Sequence, residues 1–281
     1  MNDLRIGVVS EIPKDHFPFW NDGLRAALDH LNTQYNWEVS VFNIPSMGVP
    51  NVPDDLDFYL FWGALARPQH ERKRFKHQGL LFAGGPTYHP NMKNFDVILA
   101  ESRVDVEDFQ KFGLKTVQAF GTNTKLFRPM PEMPKVFDYL YPAAFALWKR
   151  HDRFADYINK RSEIARSLAV GYMQPDGWEK ECYEVCLNNG IAVMPQVSAE
   201  ALSYLYNMSH NVLITADPDG GCQRAVLEGK ASGVNVIIQS ESEKLRELDL
   251  LTREDVLRDW SEVNYAEKIK QAIEEVFSEQ H

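Results

Sequence analysis

Short apolar runs alternate with amphipathic stretches along almost the whole chain, and few architectures accept that rhythm. β-branched and aromatic runs stand at LRIGVVS (4–10), WEVSVF (37–42), LDFYLFW (56–62), GLLFAG (79–84), FDVILAE (95–101) and KTVQAFG (115–121). A second series follows at VFDYLYP (136–142), SLAVGYM (167–173), GIAVMP (190–195), NVLIT (211–215) and VNVIIQ (234–239). Helical spacing occupies 21–31, 104–113, 151–166, 175–189, 198–208, 222–232 and 252–278, with a break near Trp260–Ser261. Near-continuous apolar strands separated by helices predict parallel sheets covered on both faces.

The two series are parted by RPMPEMPK (128–135). Its prolines cannot donate backbone hydrogen bonds and bias their neighbours toward extended conformations. The chain therefore predicts an α/β protein of two doubly wound, Rossmann-like parallel-sheet lobes. These are an N-terminal lobe over 1–127, a hinge at 128–135, a second lobe over 136–250 and a helical C-terminal tail over 251–281. A length of 281 residues suits two such domains. No run of about 18 apolar residues is present, so no transmembrane segment is expected. The start, MNDLRIGVVSEIP, lacks the basic-then-apolar order of a secretion signal. The expectation is a soluble cytoplasmic chain, peripheral at a membrane at most.

Charge narrows the partners. With 40 acidic against 30 basic residues the net charge is −10, which disfavours a broad grip on a nucleic-acid backbone. The local exception is ARPQHERKRFKH (66–77), with Arg67, Arg72, Lys73, Arg74 and Lys76, a solvated face or an acceptor contact. Cys182, Cys186 and Cys222 are too few and too scattered for a disulfide framework or a metal site.

Chemistry concentrates in PDGGCQRAVLEGKASGVNVI (218–237). Two glycines at a helix entrance let backbone N–H groups approach an anion, although Asp-Gly-Gly is also an ordinary turn. Glu228 follows among Ala225, Val226, Leu227, Ala231 and Val234. It reads either as an exposed carboxylate or as the acceptor of two vicinal ribose hydroxyls.

VLEGKASGVNVI resembles the L-E-A-M-A-x-G-x-P-V segment of retaining glycosyltransferases of the GT-B fold, glycosyltransferase family 4 in particular. FGTNTKLFRP (120–129), VSAEALSYLYNMSHNVLITADPDGG (197–221), LWKRHDRFADYI (147–158) and FDVILAES (95–102) are similar to further family segments in the same order. The resemblance covers about 95–240 and is thin before that. It implies metal-independent transfer of a hexosyl or pentosyl group from a nucleotide-diphosphate sugar, with no cofactor, to a glycan, lipid-linked sugar or other hydroxyl acceptor.

By the same resemblance, Glu228 matches the second glutamate of the E-x7-E motif, which holds the ribose. Lys149 matches the lysine that neutralises the diphosphate. Gly220, Gly221, Cys222 and Gln223 match the loop facing sugar and phosphates, and Gln196 and Val197 fall where backbone groups meet the base. The pattern also departs from the family. Gly220, beside Asp219, replaces the first glutamate, and Ala143 and Ala144 occupy the place of the usual phosphate arginine. Arg150, Arg153 or Arg224 must then supply the second positive charge. SEIPKDHFPFWNDG (10–23) replaces the first-lobe glycine pair. The first-lobe histidine's place after GLLFAG is taken by Gly85 and Pro86, with His89 shortly after.

On the acceptor side the candidates are His16, Trp20, Tyr88 and His89, with Phe17 and Phe19 beside the first two. A loop histidine can hold a sugar or act on an acceptor hydroxyl. Two other readings stay open here: a glycosyltransferase that modifies DNA, and a protein of this fold that binds a nucleotide sugar without turnover.

Overall fold

The computed structural model describes residues 3–10, 23–43, 52–63, 75–82, 88–161, 165–173 and 179–279. By contacts the chain forms two compact units. Unit 1 comprises 1–121 and 262–281, and unit 2 comprises 122–261.

Unit 1 is built on a six-stranded sheet of order β2-β1-β3-β4-β5-β6. The strands are β1 Arg5–Ser10, β2 Glu38–Asn43, β3 Phe58–Gly63, β4 Gln78–Phe82, β5 Val97–Ala100 and β6 Thr116–Gln118. Every pairing is parallel. Alternate residues of one strand serve opposite faces. Phe58 and Leu60 of β3 enter one core with Leu81, Val97 and Leu99. Tyr59 and Phe61 enter the other with Leu80, Phe82 and Ile98. Helix α1 (Gly23–Tyr35) covers the first face with Leu24, Ala27, Leu28 and Leu31. Helix α2 (Arg103–Gln110), capped by the Ser102 hydroxyl on the Asp105 amide at 3.1 Å, places Phe109 on the second face.

Unit 2 carries a five-stranded parallel sheet of order β11-β10-β7-β8-β9. Its strands are β7 Phe137–Pro142, β8 Ser167–Gly171, β9 Ala192–Pro195, β10 Ser209–Ile214 and β11 Asn235–Ile238. The crossover helices are α3 (His151–Asn159), α4 (Glu179–Asn188), α5 (Ala199–Asn207) and α6 (Gln223–Ala231). α7 (Glu243–Asp249) and α8 (Arg253–Asp259) follow.

The division of the chain differs from the sequence reading. The proline-rich stretch 128–135 belongs to unit 2, fastened by the end of α5. The Asn207 carboxamide accepts from the Met130 amide at 2.7 Å and donates to the Arg128 carbonyl at 3.0 Å. Lys135 donates to the Ser209 carbonyl at 2.8 Å. Side-chain groups thus supply the pairing the prolines forgo. The units divide instead at 121/122 and 261/262, and the expected C-terminal tail is split. α8 stays with unit 2, whereas α9 (Glu262–Ser278) belongs to unit 1. There Tyr265, Ala266, Ile269, Ala272, Ile273 and Val276 join the α1 face of the core.

Candidate functional site

In unit 2 the connection leaving β7 runs through α3 to β8 on one side, and that leaving β10 runs through α6 to β11 on the other. Open α/β sheets bind ligands where adjacent strands lead in opposite directions, beyond their carboxyl ends. The loops 143–150 and 215–222 both start at that point, and they carry the lysine and glycines singled out in the sequence.

Lys149 ends a short 3-10 turn, Leu147–Lys149, directly before α3. The Tyr141 hydroxyl donates to its carbonyl, and the Thr215 hydroxyl donates to that of Arg150 at 3.0 Å. These bonds fix the backbone so that the Lys149 ammonium donates to the Gly220 carbonyl and approaches Cys222 Sγ at 3.5 Å. Neither partner is a carboxylate, and Lys149 stands half-buried against the loop that opens α6.

That loop is tightly bent. The Gly220 amide donates to the Asp217 carbonyl at 2.7 Å, and the Asp217 amide to the Trp148 carbonyl at 2.9 Å. Gly221 (φ +72°) and Cys222 (φ 84°) are both left-handed, a conformation that costs a non-glycine residue about 1 kcal/mol. Arg150, the residue before α3, is left-handed too (φ 56°). No side chain caps α6, and its first turn holds no acidic residue. First-turn amides have no intrahelical acceptor, and the helix dipole adds positive potential there. The lysine and this helix end form one anion-receiving corner.

Gly220 cannot host a side chain. A Cβ there would lie 2.5 Å from the Trp148 carbonyl oxygen and 2.9 Å from both Ala216 Cβ and the Asp217 carbonyl oxygen. The missing first glutamate of E-x7-E thus reflects a loop closed against the Trp148 backbone. Asp219 is exposed beside it. Ala143 and Ala144 are buried. The arginines named as substitutes are already engaged. Arg150 binds Asp152 through two bonds of 2.9 and 2.6 Å and Asp217 at 3.0 Å. Arg153 stands 3.5 Å from the same Asp217 oxygen, and Arg224 lies 3.5 Å from Glu228 Oε1. Asp217, which sequence reasoning passed over, is the anion that gathers the first two.

Glu228 is buried rather than an exposed helix carboxylate, at 3% exposure. The Tyr206 hydroxyl donates to its Oε2 at 2.8 Å. Tyr206 escaped notice because it lies 22 residues away and no local pattern links two helices. The Arg224–Glu228 pair, four residues apart, was open to such a pattern. Burial, followed by the Glu228 charge, raises the Tyr206 phenol well above its usual pKa. His151 is a further find. It is buried, packed on Phe145 (ring centroids 5.0 Å apart) and Tyr141 (5.1 Å). Neither ring nitrogen has a hydrogen-bond partner. Burial, with the Lys149 charge second, lowers its pKa to about 4, so the imidazole is neutral.

Gln223 is buried at the start of α6. Gln196, exposed, and Val197, half-buried, follow edge strand β9, two strands from β7. At the sheet's inter-strand spacing that is roughly 10 Å. In unit 1, His89 caps the 3-10 turn Pro90–Asn94 by accepting from the Asn91 amide at Nδ1, 3.2 Å. Tyr88 stacks on Phe112 at 4.0 Å. His16, Phe17, Phe19, Trp20, Gly85, Pro86 and most of the basic stretch, Arg67 and Arg72 to Arg74, lie outside the described residues.

Cys182 and Cys186 are buried on α4 with their thiols reduced. Burial, then the Cys182 neighbour, pushes Cys186 up to about 12. Among the described residues no three His, Cys, Asp or Glu side chains group as metal ligands. No described helix is long and apolar enough to cross a membrane.

Two units, each built on a parallel α/β sheet, are the fold of the GT-B type. Solved glycosyltransferase structures match it over essentially the whole chain. AviGT4, a glycosyltransferase involved in avilamycin A biosynthesis, shares 15% identity at a TM-score of 0.68, covering 98% of each chain. Sucrose-phosphate synthase from Thermosynechococcus elongatus gives 12% and 0.72, covering 98% of this chain and all of its own. Anabaena Alr3699/HepE in complex with UDP and glucose gives 10% and 0.67, over 97% and 100%. At such identities the likeness is one of fold. No protein-family model matches the sequence, and no curated protein matches it either.

Proposed function

We propose that the protein is a retaining glycosyltransferase that uses a nucleotide-diphosphate sugar. The observation that carries this reading is Lys149, whose side-chain nitrogen meets a carbonyl and a sulfur rather than a carboxylate at the uncapped entrance of α6. A diphosphate answers that corner chemically, and the solved HepE structure of the same fold holds UDP and glucose. The base would extend toward Gln196 and Val197, and the ribose toward Glu228. As the glycosidic bond to the diphosphate breaks, negative charge grows on the leaving group. Lys149 and the α6 amides meet that charge more strongly in the transition state than before it, which is what accelerates a reaction. The acceptor hydroxyl attacks from the face the diphosphate leaves, without an enzymic nucleophile. In this reading Lys149 and the helix end supply the charge that a metal ion would otherwise bring. The acceptor is a glycan, lipid-linked sugar or other hydroxyl compound.

A thermal-shift panel of UDP-, GDP-, ADP-, dTDP- and CMP-sugars tests the reading on the wild type, Lys149→Ala and Glu228→Ala. A ligand at 100 times its Kd stabilises by about 2.7 kcal/mol, a readable shift. One nucleotide class should raise the wild-type Tm, and both variants should lose most of the rise. A flat panel for the wild type refutes donor binding. A shift without release of nucleoside diphosphate over hours, with hydroxyl acceptors supplied, marks a binder rather than an enzyme.

A further inference from the structure

Lys149 is flanked in the chain by two residues that Asp217 holds. The Asp217 amide donates to the Trp148 carbonyl at 2.9 Å, and its Oδ1 accepts from Arg150 Nη1 at 3.0 Å. Arg153 Nη2 stands 3.5 Å from the same oxygen. Within its own loop, the Asp217 carbonyl accepts from the Gly220 amide at 2.7 Å, and Gly220 in turn offers its carbonyl to Lys149 Nζ. One residue therefore fixes the chain on both sides of the lysine and the glycine that its side chain meets. Asp217 is itself anchored through its neighbour, since the Ser240 hydroxyl beyond β11 donates to the Ala216 carbonyl at 2.6 Å.

Both turns need outside support. Arg150 on the first and Cys222 on the second are left-handed, at φ 56° and 84°. Non-glycine residues keep such a conformation only where surrounding structure imposes it. The Arg150 bond to Asp217 joins residues 67 apart in the chain and is charge-assisted, the stronger kind of hydrogen bond. A corner assembled in advance spares the ordering that ligand binding would otherwise cost.

We propose that Asp217 is the positioning residue that keeps the Lys149 turn and the α6 entrance together as one preformed diphosphate site. The inference rests on the nucleotide-sugar reading above and assigns what assembles that same site. Asp217 touches no substrate in this account; it acts through Lys149 and the 220–222 loop. A carboxylate near an anion also repels it, an effect of opposite sign. Positioning wins because two guanidiniums beside Asp217 offset its charge at a distance and salt screens the remainder, while its bonds act on both loops directly.

Calorimetric titration of the full chain with UDP and UMP tests it, with the GDP/GMP and ADP/AMP pairs alongside. The wild type should bind the diphosphate more tightly than the monophosphate. In Asp217→Ala that preference should fall about fivefold, the worth of a partly exposed charge-assisted bond. Asp217→Asn, which keeps an acceptor oxygen but not the charge, should recover part of the loss. Hydrogen exchange at 148–150 and 220–222 should quicken in the alanine variant by a similar factor, with 209–214 of β10 unchanged. Asp217→Ser, also too short to reach the guanidiniums but at home in a turn, gives the same comparison if the alanine chain folds poorly. A diphosphate preference that is unchanged or raised in these variants overturns the role of Asp217 alone. So does equal weakening of both nucleotides, which marks a merely structural residue. A wild type that binds no diphosphate, or binds it no better than the monophosphate, overturns the diphosphate reading and this inference with it.

Discussion

At Gly220 the backbone of a neighbouring loop fills the space a side chain would need, and His151 sits dry beneath the lysine of the same site. Each makes a prediction at its own position. Gly220→Glu restores the residue that the family pattern expects, yet its Cβ would enter to 2.5 Å of the Trp148 carbonyl oxygen. The loop must open to admit it, at an overpacking cost of about 1–3 kcal/mol. Expected is a lower Tm and weaker nucleotide binding; a gain in turnover at unchanged Tm would refute the closed loop. His151 predicts a pH effect. Its folded pKa is about 4, against about 6.5 in an unfolded chain. Below pH 6.5 the unfolded chain takes up a proton that the folded chain refuses. This contribution to stability is therefore complete above pH 6.5 and declines as the pH falls toward 4, by about 3 kcal/mol in all. Both ring nitrogens lack partners, so His151→Phe gives up no hydrogen bond. Urea denaturation at pH 7 should find that variant as stable as the wild type, and at pH 4.5 more stable. Equal acid sensitivity of the two chains would rule the effect out.

At the scale of elements, α6 carries the proposed donor site, and Gly229 sets how closely it lies on the sheet. A Cβ there would stand 2.8 Å from Val236 Cγ2 on β11. Gly229→Ala gains about 1 kcal/mol of helix propensity but meets an overpacking cost of about 1–3 kcal/mol. The second effect wins because the neighbour is a branched side chain within a sheet. The variant should melt lower and lose nucleotide-induced stabilisation, since α6 bears both the 220–222 entrance and Glu228. A rise in Tm would show that the helix has slack. The strands were legible because a doubly covered strand must be apolar on both faces, and the runs at 58–62 and 97–100 say so in sequence. α7 was not, because its nine-residue neighbourhood ESEKLRELD is mostly charged, and within the helix itself only Lys244, Leu245 and Leu248 are buried. Lys149, Gly220 and Glu228 stood out through motif resemblance, but the Tyr206 bond joins two helices and leaves no spacing to read. Proline content at 128–135 suggested a hinge, whereas the tethering amide of Asn207 lies 77 residues from Met130. Contacts at such separation are invisible to a local reading.

At the scale of the whole molecule, the chain leaves unit 1 at Gly121 and returns at Glu262. Unit 1 therefore depends on a helix that follows the whole of unit 2 in the chain. The returning helix α9 buries Tyr265, Ile269, Ile273 and Val276 in the core with α1. At about 1.5–3 kcal/mol for each large apolar side chain, their loss approaches 6–12 kcal/mol. A domain's net stability is only about 5–15 kcal/mol. A chain ended at Ser261 should consequently leave unit 1 unfolded while unit 2, whose segment 122–261 is intact, remains folded. Hydrogen exchange resolves the two. Amides of 97–100 in β5 should lose protection on truncation, and those of 167–171 in β8 and 209–214 in β10 should keep it. Lys149, the 220–223 entrance, Tyr206 and Glu228 all lie within 122–261, so the truncated chain should also keep the nucleotide-induced shift in Tm proposed for the full chain. If exchange instead accelerates in both sheets, the two units fold as one and unit 2 does not hold its ligand corner unaided. If protection survives in β5, the α1 face does not need α9, and the large apolar side chains of that helix serve some other surface.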